Sequence, residues 1–424
     1  MTTNSNFPPN GPTATADGNA IPLRTVHPEN LRLARQSLDQ VLKANLGFVE
    51  LFKRKHLLDE IETVFKKRGQ QFRQAVVVGI GGSSLGVRVI RDFFNKEELL
   101  VLENVDHRDF TTMTKWIREP KECIFVFTSK SGGTLETLVS LELIQEWLKQ
   151  KGLALKDQAV VITETKESSL YTWSQKNHVP YTEVPKDVGG RFSVLTPVGM
   201  FPARLMGLNP SLFWKGAEKV LANDRDLVNF IGEALESFDR QKWITQFWLY
   251  GTSLKTFGDW LVQLWSESLG KKMNRKGLES PRASTPMVAV GAIDQHSMLQ
   301  QTMEGYKDKW PVFIRAHFLE QGGSTLHKSL FPETALVEGK KLGDVLRIEA
   351  QATREALEAQ DISTFEINFS EVKEEVLGYW FFFFELAVAA LGESMQINAF
   401  DQPGVELGKR LAQEKLKVER LSAP

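Results

Sequence analysis

The chain has 424 residues, 42% hydrophobic and 25% charged, with a formal net charge of −1. That is an ordinary soluble globular composition, enough for two or three domains each with its own core. The near-neutral balance makes no electrostatic case for nucleic acid or an anionic membrane. The single cysteine, Cys123, excludes an internal disulfide and, beside an apolar strand-like run, reads as a buried inert thiol.

Residues 1–23 contain no Lys or Arg and no apolar core of the secretory kind. Their Asn, Pro, Thr and Gly content predicts a disordered tail. Residues 24–69 read as an N-terminal helical segment, with leucines and lysines recurring between Pro28 and Gly69. An alternation then begins. Apolar runs at 75–78, 99–102, 124–127, 159–163 and 178–184 predict strands, with helices over 85–94 and 134–150. Short apolar strands alternating with helices predict a parallel sheet covered on both faces. The pattern restarts after a helical stretch at 197–241. Strands are predicted at 247–250, 287–290, 311–314 and 364–369, and helices at 254–268, 341–359, 371–392 and beyond Gly404.

The expected organisation is therefore a first α/β domain over 70–195, a second over 196–370, and a helical C-terminal segment over 371–424. The most apolar stretch, Tyr379 to Leu391, is shorter than the roughly 20 residues of a membrane span. Glu385 interrupts it, so a buried core helix is expected. A cytoplasmic location follows as the default expectation. No short-period repeat points to a solenoid.

Two turns carry chemistry. The stretch FTSKSGGTLETL (127–138) joins a strand to a helix, and its turn holds Ser129, Lys130, Ser131, Gly132, Gly133 and Thr134. Glycines admit close backbone approach, and a helix start offers unpaired N–H groups with partial positive charge. Hydroxyls and a lysine add donors, which suits a ligand with several acceptor oxygens such as a phosphate monoester. A plain helix cap, with Ser131 or Thr134 capping, is the structural alternative. The stretch GIGGSSLG (79–86) makes a second such turn. As a dinucleotide fingerprint, with Glu103 or Asp106 as ribose acceptor, it lacks a glycine at Ser84; as a P-loop it lacks the Lys and Ser/Thr after Gly86. Two such turns suit a small phosphorylated ligand better than a long cofactor.

Seven histidines show no tight ligand spacing and there is no CxxC, so no metal site is expected. A GxSxG elbow is also missing. Four polar clusters remain: DVGGRFS with Arg191, SESLGKK with Glu267, DQHSMLQQ with His296 and DQPGVELGK with Lys409. Each has a bland reading taken alone: a solvated arginine, a surface acid, a structural histidine and a solvated lysine.

In order, GIGGSSLG, SKSGGTLET, DVGGRFSVLTPVG, ESLGK, DQHS and DQPGVELGK resemble the glucose-6-phosphate isomerase (phosphoglucose isomerase) family, from about residue 70 to 410. The resemblance implies two SIS-type doubly wound parallel-sheet domains, a homodimer, and no metal or other cofactor. It implies that Glu267 is the base moving a proton between C1 and C2. His296, donated by the neighbouring subunit, and Lys409, with Gln402 nearby, would assist ring opening. Arg191 would steady the enediolate. Ser129, Lys130, Ser131 and Thr134 would hold the phosphate, and Gly82 and Ser83 would make the first-turn contacts. The implied reaction is reversible conversion of D-glucose 6-phosphate to D-fructose 6-phosphate through a cis-enediolate, in glycolysis and gluconeogenesis.

The residue types suit it: a carboxylate can take a proton beside a carbonyl and return it to the next carbon. A fixed guanidinium stabilises the oxyanion that develops. Two departures stand out. Gly133 replaces a threonine of the phosphate loop, which predicts a higher Michaelis constant, and Leu269 replaces the usual polar residue before Gly-Lys. Rival expectations are a dual phosphoglucose/phosphomannose isomerase, a non-catalytic sugar-phosphate-sensing SIS protein and a nicotinamide dehydrogenase. A sensor needs only the phosphate turns, so keeping Glu267, His296, Arg191 and Lys409 together argues for catalysis.

Overall fold

The computed structural model describes residues 21–22 and 26–422. Ten strands lie among them: β1 (Ile21–Pro22), β2 (Gln74–Val78), β3 (Leu99–Leu102), β4 (Cys123–Thr128), β5 (Ala159–Thr163), β6 (Tyr181–Glu183), β7 (Ile244–Tyr250), β8 (Thr285–Gly291), β9 (Lys309–Ala316) and β10 (Phe365–Phe369). They form two five-stranded sheets, ordered β3-β2-β4-β5-β6 and β1-β10-β9-β7-β8. Every pairing is parallel except β1 on β10. Ile21 and Pro22, inside the stretch expected to be a tail, thus extend the second sheet; the rest of that tail lies outside the described residues.

Alternation of side chains explains why the strands are apolar throughout. Ala75 and Val77 enter one core, Val76 and Val78 another, and Ile124/Val126 split from Phe125/Phe127 in the same way. Phe247, Leu249, Val312 and Ile314 of the second sheet join the core that holds Ala75 and Val77. The two sheets therefore share one apolar interior, with a separate cluster on each outer face. Through the shared core runs helix Glu374–Ser394, which extends beyond the apolar run at both ends. By length and composition it is the one helix among the described residues that would cross a membrane, but 83% of its apolar window is buried. It packs on helices Pro210–Ala222 and Pro28–Lys43. It is a core helix.

The chain runs from β2 outward to β3, then back past β2 to β4 and on to β5 and β6. The winding direction reverses between β2 and β4. In doubly wound sheets the crevice outside the strands' carboxyl ends opens at such a reversal. Both serine- and glycine-rich turns leave from there.

Candidate active site

The turns after β2 and β4 touch. A Cβ on Gly79 would stand 3.0 Å from the carbonyl oxygen of Thr128. In the second turn the Ser129 hydroxyl lies 2.8 Å from Thr134 Oγ1 and accepts from Gly132 N–H at 3.1 Å. Thr134 occupies the N-cap position of helix Leu135–Gln150, yet its side chain makes no capping bond. The hydroxyls tie the turn to itself and leave the first helical N–H groups for another acceptor. That disfavours the plain-cap reading. Glu103 and Asp106, the candidate ribose acceptors, have other work: Glu103 accepts from Arg88 at 2.6 Å, and Asp106 caps helix His107–Trp116.

Lys130 points from the same turn. Its ammonium donates to the Lys186 carbonyl at 3.0 Å and pairs with the buried Glu164 carboxylate at 3.4 Å. The two glycines differ. Gly132 has a left-handed φ of +68°, and an added Cβ would collide with Ser168 Oγ at 2.1 Å, whereas a Cβ on Gly133 would meet nothing within 4 Å. Gly132→Ala should therefore displace the turn and lower the melting temperature, whereas Gly133→Thr should fold normally. Thermal melting of both variants checks the pair.

The first turn reaches towards a second group of polar side chains. A Cβ on Gly82 would stand 2.4 Å from the Gly190 carbonyl and 2.8 Å from Arg191 N, so only glycine lets these backbones meet. The turn at 185–190 is held from the other side by Arg54, bonded to both Asp187 carboxylate oxygens at 2.7 and 2.5 Å. Arg191 is thereby fixed at a buried position, 3% exposed.

Its guanidinium spends five N–H bonds locally. Nε donates to Ser268 Oγ at 2.7 Å; Nη1 donates to Glu267 Oε2 at 3.2 Å and Gln402 Oε1 at 3.0 Å. Nη2 donates to the carbonyls of Ala399 at 2.5 Å and Asp401 at 3.1 Å. Burial lowers the guanidinium pKa while Glu267 and Asp401 oppose that shift; an arginine stays charged regardless.

Glu267 sits in the last turn of helix Lys255–Leu269, which Trp260, Leu261, Leu264 and Trp265 anchor in the core. Both carboxylate oxygens are held: Oε2 by Arg191, and Oε1 by the Gln263 amide at 3.0 Å. Gln263 is one helical turn earlier on the same face. It also lies against the first turn, because a Cβ on Gly81 would be 2.9 Å from its Nε2. Neither Gln263 nor Lys271, which donates to the Glu267 carbonyl at 2.7 Å, was picked out from the sequence. The i−4 relation to an acid was the available signal for Gln263.

Arg191, Glu267 and Gln402 thus meet directly, with Gly82 against the Arg191 backbone. Among the described residues, no hydrogen bond or ion pair joins His296 or Lys409 to them. His296 is exposed at the end of a short turn after the edge strand β8. Lys409 lies on helix Glu406–Ser422, exposed, and bonds to Glu406 at 2.9 Å. No group of three or more His, Cys, Asp or Glu that could hold a metal occurs among the described residues.

Comparison with known proteins extends the match beyond these motifs. The phosphoglucose isomerase family model matches residues 49–422. A glucose-6-phosphate isomerase of Carboxydothermus hydrogenoformans is 34% identical over 87% of this chain and 84% of its own. A hypothetical protein from Thermus thermophilus superposes with a TM-score of 0.81 at 29% identity, covering 92% of this chain and 95% of that one. A glucose-6-phosphate isomerase from Chlamydia trachomatis shares the fold, with a TM-score of 0.73 at 22% identity over 88% of this chain and 75% of that one. The two doubly wound sheets are of the expected SIS type. The match runs through both sheets and through the turns that form the crevice, and the chain belongs to the phosphoglucose isomerase family.

Proposed function

We propose that this chain interconverts D-glucose 6-phosphate and D-fructose 6-phosphate by proton transfer between C2 and C1 through a cis-enediolate. The observation that carries the reading is the Glu267 carboxylate, held at one oxygen by Gln263 and at the other by Arg191, both of which lie against the glycine turn after β2 at the sheet's reversal point. The reaction is redox-neutral within the sugar, so it calls for a base and a charge stabiliser rather than a hydride carrier.

In this reading Ser129, Lys130, Ser131 and Thr134 take the phosphate, with Gly82 and Ser83 closing the other side. Binding energy far from the bonds that change then orients C1 and C2 at Glu267. Glu267 removes the C2 proton and returns it to C1. Negative charge grows on the substrate oxygens, and Arg191 faces it. Since all its N–H groups are engaged, the oxyanion joins or displaces Gln402 or Glu267 at Nη1. Lys409 and Gln402 assist ring opening with His296.

His296 reaches this crevice as part of a second copy of the chain. The exposed position of His296 supports that, as do the exposed apolar side chains of Ile293 and Tyr306 on either side of it in the chain. The working form is then a homodimer, placed in the cytoplasm and serving glycolysis and gluconeogenesis.

The test is a coupled assay with purified protein. Fructose 6-phosphate is supplied, and glucose 6-phosphate is read through NADP reduction by an added dehydrogenase. Mannose 6-phosphate is offered separately, with detection of fructose 6-phosphate, to fix the breadth at C2. Sugar-phosphate binding without turnover would replace the isomerase by a sensor. Lys130→Ala is expected to raise KM for phosphorylated sugars about tenfold or more, as a charge-assisted contact is lost, with kcat little changed. An unchanged KM would remove Lys130 from the phosphate site.

A further inference from the structure

Lys271 belongs to none of the roles above, yet it is one of the most enclosed ammonium groups near the crevice, its side chain 7% exposed. It follows helix Lys255–Leu269 by two residues and turns back on it. Its Nζ donates to the Glu267 carbonyl at 2.7 Å, to the Asp401 carbonyl, and pairs with Asp401 Oδ1 at 3.1 Å. The Asp401 carbonyl also accepts from Arg191. Two buried cations therefore grip the segment 399–401 and aim the next side chain, Gln402, at Arg191 Nη1. Lys271 ties that segment to the helix end that carries Glu267.

Its charge matters as well as its bonds. A carboxylate in the last turn of a helix faces the negative end of the helix dipole. A cation bonded to the last-turn carbonyl offsets that field. The charged groups meeting this helix end are Arg191 from the 190–192 turn, Asp401 from the segment before the C-terminal helix, and Lys271. The other acid of the helix, Asp259, is taken by Lys255 and Arg88.

We propose that Lys271 is a positioning residue for the isomerisation, which locks the Glu267-bearing helix end to the Gln402 segment; this rests on reading Glu267 as the base. Replacing Lys271 by Met should lower kcat by about 10- to 100-fold, since small misplacements of a base cost that much. KM should stay within about threefold of the parent. A residue that only stabilised the fold would lower the amount of folded protein and leave kcat per folded molecule unchanged. Lys271→Arg, which keeps a cation able to donate to the same carbonyls, should recover most of the lost kcat. Asp401→Asn, which keeps the backbone carbonyl that Lys271 and Arg191 share, should lower kcat less than Lys271→Met does.

The proposal is overturned if Lys271→Met keeps the parent's kcat, or if Lys271→Arg loses as much of it as Met does. Should Lys271→Met not fold, the same comparison is made with Lys271→Gln. A Glu267→Gln variant run alongside separates the two readings. Turnover surviving in it removes the base itself; turnover lost in it with kcat unchanged in Lys271→Met removes only Lys271.

Discussion

Glu267→Gln is expected to lower kcat by about 10²–10⁴-fold, the worth of a positioned general base, while the protein stays folded and still binds sugar phosphate. The geometry explains the mild structural effect. Both oxygens of Glu267 accept from donors, Gln263 Nε2 and Arg191 Nη1. An amide in its place turns NH₂ towards one of them. Arg191 cannot adapt, being bonded on all sides, but Gln263 can. Its Oε1 is buried and has no partner, so rotating the Gln263 amide offers that oxygen to the new NH₂. The net change in hydrogen bonding is then about 1 kcal/mol or less. The coupled assay and a melting curve on the same preparation check both halves. A kcat comparable to the parent's would refute the assignment of the base.

The second large effect is expected for Arg191→Lys. Charge is kept, yet kcat should fall by about 10²–10³-fold, the usual cost of losing a preorganised donor to a developing oxyanion. An ammonium has three N–H groups where the guanidinium uses five, and no planar fork. Asp401 keeps Lys271 as a donor, but the Ala399 carbonyl and Ser268 hydroxyl lose theirs. Each buried polar group left unpaired costs about 1–3 kcal/mol, so the melting temperature should drop by several degrees. The Phe192–Phe400 contact, with ring centroids 5.3 Å apart, should keep the two segments together in the folded fraction. Turnover within tenfold of the parent and an unchanged melting point would contradict this role for Arg191.

The strands and the two phosphate-type turns were legible because they are local. Each predicted strand contains four or more contiguous apolar residues or lies between turn residues, and each turn spells out its glycines and hydroxyls. Helix His107–Trp116 escaped notice because its sequence, HRDFTTMTKW, is largely polar and buries only Met113. The site was legible only as a set of motifs. Nothing in DVGGRFS says that Arg191 will meet Ser268, Ala399 and Gln402, which are 77 to 211 residues away. Gln263 and Lys271 stayed hidden for the same reason: an amide inside a helix and a lysine after a glycine look like solvated surface until the chain folds around them. His296 and Lys409 remain legible by motif alone, since no bond in the folded chain ties either to the Arg191–Glu267 group.

The most direct test of proton transfer by Glu267 is to incubate glucose 6-phosphate with the protein in D₂O and follow C2 of the aldose and C1 of the ketose by NMR. Deuterium is expected to enter both positions on prolonged incubation with the parent and neither with Glu267→Gln. Exchange or interconversion that persists in the variant at the parent's rate would contradict Glu267 as the base.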